Sequence, residues 1–263
     1  MPHPATPILN ALTFHPVRQV TMTPERLGVE WEDLYFTAAD GTRINGWFVR
    51  APERPPVAHI LFAHGNSGNI GDRTVVLALL AAAGFDVLVF DYRGFGRSAG
   101  RPGERGMYLD AAAAREALLA RPGVDPNHIV YLGKSLGGGV ILELATRCPP
   151  AAMILMSTFT GLRDAARAVY PFLPRPIVPD AFPSLRRIAS LRSPVLIMHG
   201  DDDELLPVGM GRALYEAAAG PKRLHIYPGG RHNDLVLHPG WAQTVTEWVS
   251  SALASAGEAA ARD

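Results

Sequence analysis

A serine, a carboxylate and a histidine, far apart in the chain and in that order, carry the chemistry of acyl transfer. The pattern G-x-S-x-G occurs twice, at Gly96–Gly100 around Ser98 and at Gly133–Gly137 around Ser135. The pattern is chemically useful only where a strand turns sharply into a helix and projects the hydroxyl above a sheet. Ser98 fails that test, because the preceding strand ends near Asp91 and Pro102-Gly103 follow where a helix would begin. Ser135 passes it: the apolar run Ile129–Leu132 leads directly into Gly133, and Leu136 opens a helical pattern. Ser135 is the expected nucleophile and Ser98 an incidental turn serine.

A serine nucleophile needs a base. Of the 9 histidines, His59, His128, His199 and His225 lie in or beside apolar runs, and His3 and His15 precede the core. His232 differs, sitting in Gly229-Gly230-Arg231-His232-Asn233-Asp234 between the last strand pattern and the last helical pattern. That is the carboxyl edge of a parallel sheet, where open α/β sheets bind ligands. The orienting acid is expected in His199-Gly200-Asp201-Asp202-Asp203-Glu204, at the same edge. Spacing alone does not choose among the three aspartates; Asp203 is favoured, with Asp202 next. The oxyanion is expected to be held by the N–H of Leu136, which follows the nucleophile, and by the N–H of Asn66 in the loop His64–Gly71. His64 is expected to shape that loop.

The elements that must position these groups show in the apolar pattern. Leu34–Thr37, a turn at Asp40-Gly41 and Ile44–Val49 predict an antiparallel hairpin. Continuous apolar runs follow at His59–Ala63, Val87–Phe90, Ile129–Leu132, Met153–Met156, Val195–Met198 and Leu224–Tyr227, as strands covered on both faces require. Helical patterns at Ile70–Ala83, Met107–Ala120, Leu136–Arg147, Val208–Ala218 and Trp241–Leu253 alternate with them. The result is an eight-stranded, mostly parallel sheet flanked by helices. One connection breaks the rhythm. Between Met156 and Val195 the chain carries Pro171, Pro174, Pro176, Pro179 and Pro183 among apolar residues, which argues against one long helix and for an ordered lid over about 157–192. Tyr170, Phe172 and Phe182 are expected to line an apolar acyl pocket there; the alternative is a contact with a second subunit.

Composition narrows the partners. The chain has 263 residues, 48% hydrophobic and 19% charged, enough apolar surface for a core. Its 25 basic and 25 acidic side chains cancel, so there is no electrostatic footprint for nucleic acid or an anionic membrane. Cys148 is the single cysteine, so an intrachain disulfide and a cysteine-built zinc site are excluded; no metal and no organic cofactor is expected. No apolar run is long enough to span a bilayer and no secretory signal is evident, so a cytoplasmic location is expected. Nothing in the sequence fixes an oligomeric state. Nucleotide binding is disfavoured: a P-loop would need glycine at the position of His128, and Gly65-Asn66-Ser67-Gly68 lacks the dinucleotide pattern.

Together these residues resemble the α/β-hydrolase superfamily. More narrowly, H-G-N-S-G-N-I-G-D-R from His64, D-Y-R-G-F-G-R-S from Asp91, G-K-S-L-G-G from Gly133, H-G-D-D-D-E-L-L-P from His199 and G-G-R-H-N-D from Gly229 resemble the bud-emergence subfamily of serine hydrolases, from about Thr21 to Leu253. The resemblance implies one α/β-hydrolase domain over 1–263, with a short lid between strands six and seven and a frayed tail over 254–263. It implies a Ser135–Asp203–His232 triad, the acid being the third residue after H-G with Pro207 four further on. Many relatives begin with a membrane anchor; this chain starts close to the domain, so that trait is not carried over. The expected substrate is a small-molecule ester or thioester of small to medium size, cleaved through an acyl-enzyme. The alternatives are an aminopeptidase-like amide hydrolase and a non-catalytic binding protein on the same fold.

Overall fold

The Asp40-Gly41 turn folds the chain into its first hairpin, closed by a hydrogen bond from Ala38 N–H to the Thr42 carbonyl. The structure is a computed structural model and describes residues 13–172 and 174–260. The hairpin joins strands β1 (Trp31–Thr37) and β2 (Arg43–Val49). The remaining sheet strands are β3 (Ala58–Ala63), β4 (Phe85–Phe90), β5 (Ile129–Lys134), β6 (Ala152–Met156), β7 (Val195–Gly200) and β8 (Lys222–Tyr227). They form the expected 8-stranded sheet, in the order β8-β7-β6-β5-β3-β4-β2-β1. Only the β1–β2 and β2–β4 pairs within it are antiparallel.

Alternation along each strand sends side chains to two separate cores. Leu61, Tyr131 and Leu155 pack with Met107, Ala114 and Leu118 of α2 (Glu104–Leu119) and with Val140 and Leu144 of α3 (Leu136–Arg147). Ile60, Phe62, Val130 and Ile154 pack with Leu77 and Leu80 of α1 (Thr74–Ala82) and with Val245 and Val249 of α7 (Trp241–Ala260). Covering on both faces explains why β3 to β7 read as continuous apolar runs.

Three elements differ from expectation. The helix expected over 70–83 is a 3-10 turn, Ile70–Arg73, whose start Asn69 and Asp72 cap reciprocally, followed by α1. The last helix continues past Leu253 to Ala260, where fraying is expected; 261–263 lie outside the described residues. The lid between β6 and β7 contains two short helices, α4 (Leu162–Val169) and α5 (Ser184–Ile188), on either side of the proline-rich stretch. The lid is tied down by Leu162 N–H to Ala181 O, Arg163 Nε to Val178 O and Phe182 N–H to Glu104 Oε1. The remaining helix, α6 (Gly209–Ala217), joins β7 to β8.

Candidate active site

The turn from β5 into α3 is built around Ser135, whose φ of 52° and ψ of −117° place it in a region that non-glycine residues rarely adopt. Its N–H donates to Met156 O on the neighbouring strand and its carbonyl accepts from Gly138 N–H, so backbone hydrogen bonds hold the conformation. The flanking glycines are steric necessities. A Cβ on Gly137 would lie 1.9 Å from Ala63 O, and one on Gly133 would lie 2.6 Å from Gly138 Cα. The second motif behaves differently. Ser98 is fully buried, donates to Asp91 O at 2.6 Å and accepts from Asn45 N–H at 2.9 Å, so it pins the loop after β4 to β2.

Ser135 opens on a cavity of about 580 Å³ whose walls also include His232, Leu136 and Asn66. His232 is buried, and its Nδ1 lies 2.8 Å from Asp203 Oδ2. Asp203 Oδ1 accepts from the N–H groups of Leu205 and Leu206 at 3.0 and 2.8 Å. His199 Nε2, fully buried, stands 3.3 Å from Asp203 Oδ2 and 2.8 Å from Leu206 O; two acceptors require it to carry a proton. Burial pushes the Asp203 carboxyl up, but hydrogen bonds from His199 and His232, the charge at His232 and the Leu206 N–H outweigh it and hold the group well below the usual carboxylate range. An ionised Asp203 requires the proton of a neutral His232 on Nδ1, leaving Nε2 as the acceptor.

The other two acids of the run go elsewhere. Asp201 Oδ1 accepts from Gly229 N–H at 2.7 Å, and Asp202 is exposed. No hydrogen bond between the Ser135 hydroxyl and the His232 ring is present among the described residues.

Leu136 occupies the first position of α3, so its N–H is among those an α-helix leaves unpaired at its start. The loop carrying Asn66 runs beside it: a Cβ on Gly65 would lie 3.6 Å from Ser135 Cβ. Asn66 itself is clamped by the N-terminal segment, its carbonyl accepting from His15 N–H at 2.9 Å and its side-chain amide donating to Thr13 O at 2.7 Å. His64 shapes the loop as expected, buried against Tyr92 and Phe95, with Nδ1 at 2.7 Å from Gly65 O. Burial depresses its basicity.

The lid residues divide. Tyr170 lines the cavity. Phe172 does not: it is 80% exposed. Phe182 does not line it either; it is buried against Tyr108, Phe159 and Gly139, with a φ of 47°, and anchors the lid from beneath. The apolar wall comes instead from Phe159, Val178, Pro179 and one face of α4, Leu162, Ala165, Ala166 and Val169. Those four stand at i, i+3, i+4 and i+7, a helical periodicity visible in the sequence but masked by the prolines that follow. Thr13 and His15 also line the cavity, and nothing local in the sequence signals it. Arg73 and Lys134 complete a polar end together with Asp72 and Asn233.

The chain is similar to known proteins in sequence and in fold. The family described as serine aminopeptidase, S33 (Hydrolase_4) matches residues 54–187 and 180–236. An uncharacterised protein of Mycobacterium tuberculosis is 41% identical over 209 residues, covering 79% of this chain and 74% of that protein. Alpha/beta hydrolase domain-containing protein 17B of Xenopus tropicalis is 33% identical over 214 residues, covering 81% and 73%. Among solved structures, an esterase of Pyrococcus furiosus superposes with a TM-score of 0.75 at 22% identity, covering 91% of this chain and 98% of that one. By sequence and by fold, the chain belongs to the α/β-hydrolase superfamily, within the family described as serine aminopeptidase, S33.

Proposed function

We propose that this protein is a serine hydrolase that cleaves carboxylic esters or thioesters of small to medium acyl chains. One observation carries the reading: a strained elbow serine and a carboxylate-bound histidine open on the same largely apolar cavity. In this mechanism His232 Nε2 takes the proton of Ser135 Oγ as the hydroxyl attacks the acyl carbonyl. The missing contact between the two side chains closes when substrate orders the serine rotamer, as catalytic hydrogen bonds often tighten only in the complex. The N–H groups of Leu136 and Asn66 hold the oxyanion, Asp203 fixes the tautomer and stabilises the imidazolium, and water then cleaves the acyl-enzyme. The G-G-R-H-N-D and H-G-N-S-G-N motifs favour the bud-emergence subfamily within the superfamily. Among the described residues no helix is long and apolar enough to cross a membrane, which suits action in the cytoplasm.

The family description gives amide cleavage as the second reading. An aminopeptidase needs a carboxylate for the substrate amine, and among the described residues the cavity wall offers only Asp72, beside Arg73. A fluorophosphonate probe with peptide mapping, followed by a p-nitrophenyl ester series run beside an aminoacyl anilide, tests the proposal. Labelling of Ser135 with turnover of the esters is expected. Turnover of the anilide in preference establishes the peptidase; absence of both labelling and turnover leaves a binding protein.

A further inference from the structure

Acyl transfer does not require the two cations at the polar end of the cavity. Lys134, between the motif glycine and the serine, is 9% exposed, and its Nζ donates to Asn233 Oδ1 at 2.7 Å. Arg73, from the 3-10 turn before α1, donates to Ser67 O, while its Nε is buried with no hydrogen-bond partner. Among the described residues neither cation has a carboxylate within 4.0 Å, whereas Arg93 takes Asp40 and Asp110, and Arg50 takes Glu30 and Glu32. Four carboxylates act on them from farther off, Asp72 and Asp91 on Arg73 and Asp203 and Asp234 on Lys134. Asp72 Oδ2 accepts from Asn69 N–H in the cap, and Asp203 is saturated by His232, His199 and two N–H groups.

An unpaired cation away from water is costly unless something binds to it. The strain registers at Lys134, whose pKa burial and the charge of Arg73 push down to about 8, against the pull of Asp203 and Asp234. The ammonium has three donors and the protein uses one, so two remain for a ligand.

We propose that Lys134 and Arg73 form an anion subsite, and that the substrate is an ester whose alcohol portion carries a phosphate or carboxylate. The acyl chain lies along the α4 face, which leaves the cationic end for the leaving group. The inference rests on the hydrolase reading above and deepens it. The charged end holds the alcohol portion in register with Ser135; as the acyl C–O bond breaks, the leaving oxygen takes from His232 the proton that came from Ser135, and the alcohol departs carrying only the charge of its phosphate or carboxylate.

Three butyryl esters test it: 1-butyrylglycerol, its 3-phosphate, and 3-butyryloxypropanoate. The parent protein is expected to favour at least one anionic ester in kcat/KM by about tenfold, the scale of a charge-assisted hydrogen bond, and the preference falls as salt rises. Which anionic ester leads identifies phosphate or carboxylate as the natural group. Arg73→Gln and Lys134→Gln are each expected to lower the anionic-to-neutral ratio by about tenfold, mainly through KM, and Lys134→Arg to retain it. Arg73 is partly exposed, so its variant reports even if Lys134→Gln fails to fold. A parent ratio at or below one, or a ratio untouched by both glutamine variants, overturns the subsite. Calorimetry on Ser135→Ala separates this from the hydrolase reading. Tighter binding of an anionic ester than of 1-butyrylglycerol upholds the subsite even if no ester is turned over, and equal binding overturns it.

Discussion

The two serines of the G-x-S-x-G pattern show how one motif serves two ends. Ser135→Ala removes the only hydroxyl at the elbow and leaves the backbone bonds to Met156 and Gly138 in place. Under the proposed mechanism esterase activity falls by about 10⁴-fold or more with the fold intact, and the loss is not additive with that of His232→Ala. Ser98→Ala has the opposite signature. It strips two buried backbone groups, Asn45 N–H and Asp91 C=O, of a partner, so unfolding in urea should show a loss of about 1–3 kcal/mol while specific activity persists. The bonds of Ser98 give this turn serine a structural role. Asp203→Asn should lower kcat far more than Asp201→Asn or Asp202→Asn, because only Asp203 meets the imidazole and an amide there favours the wrong tautomer. Small, equal losses at the three positions would place the orienting acid elsewhere.

At the scale of elements, the lid is an anchor, an exposed tip and a lining face. Phe182 is the anchor: truncation to alanine beneath Tyr108 and Gly139 should cost about 3–5 kcal/mol in a denaturation measurement. Phe172 is the exposed tip, so Phe172→Ala should change stability by no more than about 0.5 kcal/mol and leave the ester profile as it was. The lining face belongs to α4. Each methylene buried there is worth about 0.8 kcal/mol, so three added methylenes should raise kcat/KM roughly 50-fold until the space is full. Ala166→Trp fills part of that space in advance. The preferred p-nitrophenyl ester should shift to a shorter chain; an unchanged optimum would show that the acyl group runs along another wall.

The molecule as a whole carries an energetic penalty at its own centre. The depressed pKa of Lys134 means that between about 8 and its ordinary 10.5 the unfolded chain binds the extra proton. Stability from this group therefore rises with pH across that window, and below it the buried cation destabilises the fold by roughly 3 kcal/mol. The charges that act on it are those of Arg73, Asp203 and Asp234. Lys134→Met should accordingly melt at a higher temperature than the parent at pH 7, with the difference shrinking as pH rises from 8 to 10.5. A melting temperature lower than the parent's at pH 7, or a gap independent of pH, would contradict this. Loss of the Asn233 bond does not reverse the effect, because Asn233 is exposed and water replaces the ammonium. Such a gain in stability with a loss of anion selectivity is the usual exchange at a functional site.

The sequence by itself determined the order of strands and helices and the elbow at Ser135. Both follow from short-range physics: apolar periodicity decides which faces are covered, and the 133 and 137 positions exclude any side chain because strand and helix backbones meet there. It also placed His232 and the acidic run at the correct edge, since parallel strands put their carboxyl ends together. Tertiary structure decided what depends on contact between remote segments. Asp203 was separated from Asp201 and Asp202 by the meeting of two loops 29 residues apart, where a Cβ on Gly200 would lie 1.9 Å from Gly230 O. Phe172 and Phe182 are the same residue type in the same stretch, and only packing sent one to solvent and the other under the lid. Thr13 and His15 reach the cavity by pairing with the Asn66 loop. Arg73 and Lys134 become one cationic end only because β3 sits between β4 and β5, which brings the turn after one strand beside the elbow after the next.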